Sequence, residues 1–197
     1  MHEKNETLRS DALRNRERIL EVALQALTES GEASLTSIAK KAGVGQGTFY
    51  RHFPNREALV LEVYRHEVQQ VAGAARRLLE TRPPDQALRA WLDRLAQYAM
   101  TKAGLADAMR RATCSHDSLV KVSRDPLMSA ITTLLAANEQ AGTIRRGLDP
   151  EDVMLAIGGL WQIDPKGDWR SRASRLLDLV MDGFRAGASG PPTDSTN

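Results

Sequence analysis

The chain lacks most of the residues that would tie it to a secreted, metal-bound or membrane-embedded fold. It carries one cysteine, Cys114, in 197 residues, so an internal disulfide is excluded and a reducing compartment fits. No cysteine and histidine group has the spacing of zinc ligands, and no metal is expected. No apolar run approaches the roughly 18 residues of a membrane-spanning helix. The first residues, MHEKNETLRS, are charged and polar where a signal peptide needs an apolar core. A cytoplasmic protein without a membrane segment is the expectation. Strict two-residue alternation and β-branched runs are also missing, which argues against sheets. A large charge excess is absent too: the formal net charge is +2, so any nucleic-acid surface must come from local clustering of cations.

What is present is helical periodicity over nearly the whole length, and 42% hydrophobic residues, ample for a buried core. The pattern predicts an all-α chain. A first helix from about Asp11 to Ser30 buries Leu20, Ala23, Leu24 and Leu27, with Gly31 as its left-handed terminator. Ser34 or Thr36 can cap a second helix whose stripe is Leu35, Ile38, Ala39 and Ala42, ended by Gly43. A tight turn leads into a third short helix, Gln46 to Phe53, stopped by Pro54, and Asn55 can cap a long fourth helix reaching about Glu80.

Beyond Pro83 and Pro84 the chain reads as a helical bundle. Leu88, Trp91, Leu92, Leu95 and Ala99 share one face, and Gly104 is expected to interrupt that helix before a short segment through Arg111. Asp125-Pro126 and Asp149-Pro150 both look like a cap followed by proline at the first helical position. The second of these opens a helix carrying Val153, Ile157, Leu160 and Trp161. Gly158-Gly159 lies inside it, at a cost of roughly 1 kcal/mol per glycine that close helix contact would offset. A last helix carries Leu176, Leu177, Val180 and Phe184. The expected organisation is a flexible arm over 1–10, a helix-turn-helix domain over 11–57, a helical domain over 58–187 and a disordered tail over 188–197.

One stretch stands apart in charge. From Ala33 to Arg56 there is no acidic residue, while Lys40, Lys41, Arg51, His52 and Arg56 all fall within it. A surface facing phosphates requires that bias. Two short helices joined through Gly43, the second lined with Gln46, Gly47, Thr48 and Tyr50, fit the geometry by which a recognition helix enters the major groove. Phe49 and Phe53 are expected to pack inward.

The run from Thr36 through Ile38-Ala39, Ala42-Gly43-Val44, Gly47-Thr48, Tyr50, His52-Phe53 and Asn55-Arg56 to Leu59 resembles the DNA-binding segment of TetR-type (tetracycline repressor) regulators. The resemblance implies a dimeric, sequence-specific regulator of a double-stranded DNA operator, not an enzyme. It implies phosphate contacts by Thr36, Tyr50, His52 and Arg56, base contacts by Gln46 and Thr48, and close backbone approach at Gly47. Family members often have Ser then Lys where this chain has Gly45 and Gln46, so the operator is not transferable from relatives. Gln46 suits bidentate pairing with adenine.

In such regulators the later helices hold an effector pocket. The candidates here are Trp91, Leu95, Tyr98, Met109, Arg110, Met128 and Trp161; the aromatic and Met positions are individually more often core, and Arg110 or Arg111 could answer an anionic ligand. The family also pairs its last two helices across a two-fold axis. On this chain that implies a homodimer interface at Val153, Ile157, Leu176, Leu177, Val180 and Phe184, a monomeric core being the alternative. No cofactor is expected, only a small-molecule effector. Three further readings carry little. Gly43, Gly45 and Gly47 follow no strand, so they are no nucleotide loop. Cys114, His116 and Asp117 sit too close in sequence to converge on one reacting atom. Arg9 and Arg14 could reach the minor groove or form an ordinary basic terminus.

Overall fold

The computed structural model describes the backbone of residues 2–30, 32–112 and 116–188, and side chains for 14–30, 32–106, 108–112 and 122–188. Among the described residues the chain is all-α, with no strand. It divides into two compact units, Met1–His66 with Gly104–Val120, and Glu67–Ala103 with Lys121–Asn197.

In the first unit, α1 (His2–Glu29) is helical from its second residue, where an arm was expected over 1–10. Residues 2–10 contain no glycine or proline, and Glu, Lys, Leu and Arg are good helix formers. Ile19, Leu20, Ala23, Ala26 and Leu27 form the buried face of α1. It packs against α2 (Leu35–Lys41), and α2 in turn packs against α3 (Gln46–His52). Arg16 joins α1 to α4 (Arg56–Thr81) through Glu62 at 2.5 Å. Asn55 caps α4, its Oδ1 accepting from the Ala58 amide at 2.8 Å. The terminator Gly31 lies outside the described residues.

The expected break at Gly104 does not occur, because α5 (Pro84–Arg111) runs through it. A Cβ at Gly104 would lie 2.8 Å from Thr28 Cγ2, closer than real contacts allow, so the glycine is there for close packing of α5 on α1. Thr28 is held in place, since its hydroxyl donates to the Leu24 carbonyl at 2.8 Å. Gly104→Ala is expected to destabilise by about 1 kcal/mol net, overpacking costing roughly 1–3 kcal/mol against about 1 kcal/mol of helix propensity gained. A rise in thermal midpoint would show that this contact is soft.

The core of the second unit is built on Trp91, Leu92, Leu95, Ile131, Leu134, Ile157, Leu160 and Leu177, all fully buried. Trp91 Nε1 donates to the Val71 carbonyl at 2.9 Å, so the indole is satisfied inside that core. Asn138, a fully buried polar side chain, donates to the carbonyls of Pro84 at 2.9 Å and Leu134 at 2.8 Å and accepts from the Thr143 hydroxyl at 2.7 Å. Arg89 on α5 pairs with Asp178 at 2.9 Å and also with Asp93.

Helix α6 (His116–Gln140) corrects the reading of Asp125-Pro126 as a helix start, since Pro126 sits inside the helix. A proline there withholds one donor, the partner of the Val122 carbonyl, rather than ending the ladder. The buried face Leu127, Ala130, Ile131, Leu134 and Leu135 then holds the helix on its neighbours. Asp149 does cap α7 (Pro150–Ala156), its carboxylate accepting from the Glu151 and Asp152 amides. The α-helix stops before Gly158-Gly159, and a 3₁₀ segment (Ile157–Gln162) carries the pair. Only Gly159 is crowded, a Cβ there meeting Leu176 Cδ2 at 3.3 Å.

Asp168 caps α8 (Trp169–Arg185), accepting from the Ser171 amide at 3.4 Å. Ser171 holds this carboxyl below its ordinary range. The cap is therefore charged at neutral pH and is lost only as pH falls through the depressed value. Among the described residues no helix is long and apolar enough to cross a membrane, and no three His, Cys, Asp or Glu side chains group to hold a metal.

Candidate nucleic-acid interface

The acid-free stretch folds into two short helices whose ends are set by local chemistry. Ser34 Oγ accepts from the Ser37 amide at 3.1 Å, closing the start of α2. At its end the Val44 amide reaches the Ala39 carbonyl at 3.1 Å and the Gly43 amide the Lys40 carbonyl at 3.1 Å. That is the Schellman pattern, with Gly43 at φ +66° in the left-handed region. Gly43 is thus required for the turn that aims α3.

Helix α3 is held by two side chains. Phe49 and Phe53 are almost fully buried, their rings 5.5 Å apart. Every other residue of α3 is exposed: Gln46, Gly47, Thr48, Tyr50, Arg51 and His52. Gly45 caps α3 without a side-chain bond, and a Cβ there or at Gly47 would meet nothing within 4 Å. Neither glycine is demanded by internal packing. Gly45→Ser is expected to stabilise by a few tenths of a kcal/mol through an added cap, read as a small upward shift of the denaturation midpoint. A downward shift would mean that the open N-terminus of α3 has another role in the fold.

Thr36 lies exposed in the first turn of α2, and Lys40 and Lys41 are exposed in its last. Lys41 has only a loose pairing with Glu29 at 3.9 Å. Arg56, expected among the phosphate contacts, also makes a bond within the chain. Its guanidinium Nη1 donates to the Ala33 carbonyl at 2.7 Å and is half-buried, tying the loop before α2 to the start of α4.

The seven residues proposed from sequence for an effector pocket do not line one described cavity. Trp91 and Leu95 are fully buried in the core, while Met109 and Arg110 belong to the first compact unit. Met128 and Trp161 are half-buried on α6 and the 3₁₀ segment. Only Tyr98 lines a described cavity, of about 160 Å³, floored by Val71 and rimmed by Glu67, Gln70, Arg94, Gln97 and Thr101. These rim residues are polar and fall on no apolar stripe, so periodicity did not point to them. Cys114 lies outside the described residues, as do the side chains of His116 and Asp117 and the side chain of Arg9.

The apolar candidates near the C-terminus also divide. Val153, Ile157, Leu177 and Phe184 are buried within the protomer, which corrects their assignment to a partner-facing surface. Leu176 and Val180 are half-buried. The large side chains that stay outside are Leu155, 79% exposed, and Leu179, 72% exposed, neither of which the sequence reading selected.

Comparison with known proteins agrees with this architecture. Residues 19–63 match the family of bacterial regulatory proteins of the tetR type, and residues 83–186 match the C-terminal domain of SbtR-like transcriptional regulators. The crystal structure of the TetR transcriptional regulator SCO0520 from Streptomyces coelicolor is 41% identical over 90% of this chain and 99% of its own, with a TM-score of 0.77. That of a TetR transcription regulatory protein from Mycobacterium vanbaalenii is 32% identical over 90% of this chain and 99% of its own, with a TM-score of 0.73. An HTH-type transcriptional regulator of Staphylococcus aureus, SAB2452, is 32% identical over 46% of this chain and 51% of its own length. The chain thus spans about half the length of that curated relative, and a third of others such as YvdT from Bacillus subtilis. With a helix-turn-helix ordered by Ser34, Gly43 and Phe49, and family matches over both halves of the sequence, the chain belongs to the TetR family of transcriptional regulators.

Proposed function

We propose that the protein is a homodimeric regulator that binds a double-stranded DNA operator through α3, represses transcription there, and is released by a small-molecule effector. The observation that carries DNA binding is the exposed row of α3, where six of seven residues face outward on a surface whose sequence contains no acid. Tyr50, Arg51 and His52, with Thr36 at the start of α2, position the backbone, and Gln46 and Thr48 read base edges. The open space at Gly47 supports close approach of the helix backbone to DNA.

Two copies joined through the exposed Leu155 and Leu179 would present two α3 helices to half-sites about one helical turn, roughly 34 to 36 Å, apart or somewhat more. A pseudo-palindromic operator follows from that symmetry. The cavity beside Tyr98 supports an effector site, and α4 runs through both compact units. An effector that prefers one arrangement of the second unit would bias the operator-binding form by its differential affinity.

The test is selection of DNA fragments by the purified full chain, followed by sequencing and anisotropy titration. A recurring sequence with two-fold symmetry, bound more tightly than mixed DNA, is the expected result. Binding without any sequence preference would remove the operator, and no binding at low salt would remove the function.

A further inference from the structure

We infer that Arg18, on α1 and outside the acid-free stretch, is a further phosphate-anchoring residue of the DNA-binding surface; the inference rests on the reading of α2 and α3 given above. The two neighbouring arginines of α1 have different surroundings. Arg16 is paired with Glu62 at 2.5 Å, an internal link between helices. Arg18 is exposed, and its polar contact is the neutral Asn15 Oδ1 at 3.3 Å. Among the described residues it forms no ion pair, even though Glu17 and Glu21 lie near it on the same helix.

Its position gives that charge a use. The Arg18 Nη2 lies 3.9 Å from the point where a Cβ would stand on Gly43, which places the guanidinium against the turn between α2 and α3. Gln46 follows Gly43 by three positions, a span of at most about 10–11 Å. Arg18 is therefore at the turn that leads into the N-terminal end of the recognition helix and within about 15 Å of Gln46, the end that contacts base edges in this type of docking. Phosphates border the groove there. Yet the first turn of α3, Gln46, Gly47 and Thr48, is uncharged, and its basic residues Arg51 and His52 are in the last turn. Arg18 thus supplies from another helix the positive charge that this end of α3 lacks. A guanidinium on a long arm, held by one weak neutral contact, can form the paired hydrogen bonds that phosphate oxygens accept.

The experiment measures binding of the full chain to a mixed-sequence duplex and to a selected operator, in salt from about 50 to 200 mM. Arg18→Gln should reduce the slope of log affinity against log salt by about 0.9, the value for one phosphate contact. It should weaken both duplexes by the same factor and leave the thermal midpoint unchanged, and Arg18→Lys should restore most of the slope. Arg51→Gln is the reference cation on α3. An unchanged slope for Arg18→Gln, with a flatter one for Arg51→Gln, would overturn the inference and leave the DNA-binding reading intact. Loss confined to the operator would make Arg18 a base-reading residue instead. A lowered midpoint that Lys does not rescue would make it structural. Failure of the unmodified chain to bind either duplex at low salt would defeat the parent reading itself.

Discussion

Replacing Phe49 by alanine is expected to cost about 3–5 kcal/mol of stability and to abolish DNA binding, because this ring is the principal anchor of the recognition helix. Helix α3 has seven residues, too few to persist by propensity alone. Phe49 is fully buried and touches Phe53 with ring centroids 5.5 Å apart, so truncation opens a cavity under the whole helix. Such a loss is comparable to the total stability of many domains, about 5–15 kcal/mol. The adjacent Tyr50 provides the contrast. The residue is 40% exposed, and Tyr50→Ala should shift stability by no more than about 0.5 kcal/mol while weakening binding to DNA of every sequence. Thermal melts and anisotropy titrations on the two variants separate the roles. Should Phe49→Ala melt like the parent protein, the inward packing of α3 assigned here would be wrong.

The ends of the DNA-proximal helices were legible because each is encoded by a residue acting on its own backbone. Ser34 has the oxygen that the Ser37 amide needs, Gly43 tolerates φ +66°, and Asn55 reaches the Ala58 amide. Asp149 does the same for α7. Elsewhere the same residue types misled, since their effect depends on a neighbour that sequence does not show. Gly104 reads as a break until Thr28 is seen against it, and Pro126 reads as a start until the buried face after it is seen to hold α6 through the proline. The outward row of α3 followed from its short period and two phenylalanines. Apolar residues of the later helices were harder. A helical stripe says which side chains are hydrophobic, not whether their cover is the same chain or a second copy. Val153, Ile157, Leu177 and Phe184 are covered by the protomer itself. Arg56 shows the same ambiguity for a cation, since a carbonyl of its own chain, Ala33, accepts from it.

That ambiguity makes the double change Leu155→Glu with Leu179→Glu the sharpest test of assembly. The buried stripe of α8 is Ala173, Leu177, Met181 and Phe184, so Leu179 projects away from it, beside the half-buried Leu176 and Val180. A Cβ on the exposed Gly159 would meet Leu176 Cδ2 at 3.3 Å, so the 3₁₀ segment lies against α8 there. In a two-fold interface each leucine is buried twice. Replacing both would remove on the order of 6 to 12 kcal/mol of apolar burial, at about 1.5–3 kcal/mol for each side chain, and would add four carboxylates in its place. Within the protomer the two leucines face solvent, so the melting temperature of the monomer should hardly change. Sedimentation is expected to show a monomer for this variant and a dimer for the unmodified chain. Operator affinity should fall by about 10²–10⁴, the advantage of two linked reading heads over one, while the single half-site interaction survives. Leu177→Glu, by contrast, should unfold the second unit, because that leucine is fully buried. A double variant that remains dimeric would move the interface to another face, and one that loses half-site binding as well would couple this surface to α3 by more than valency.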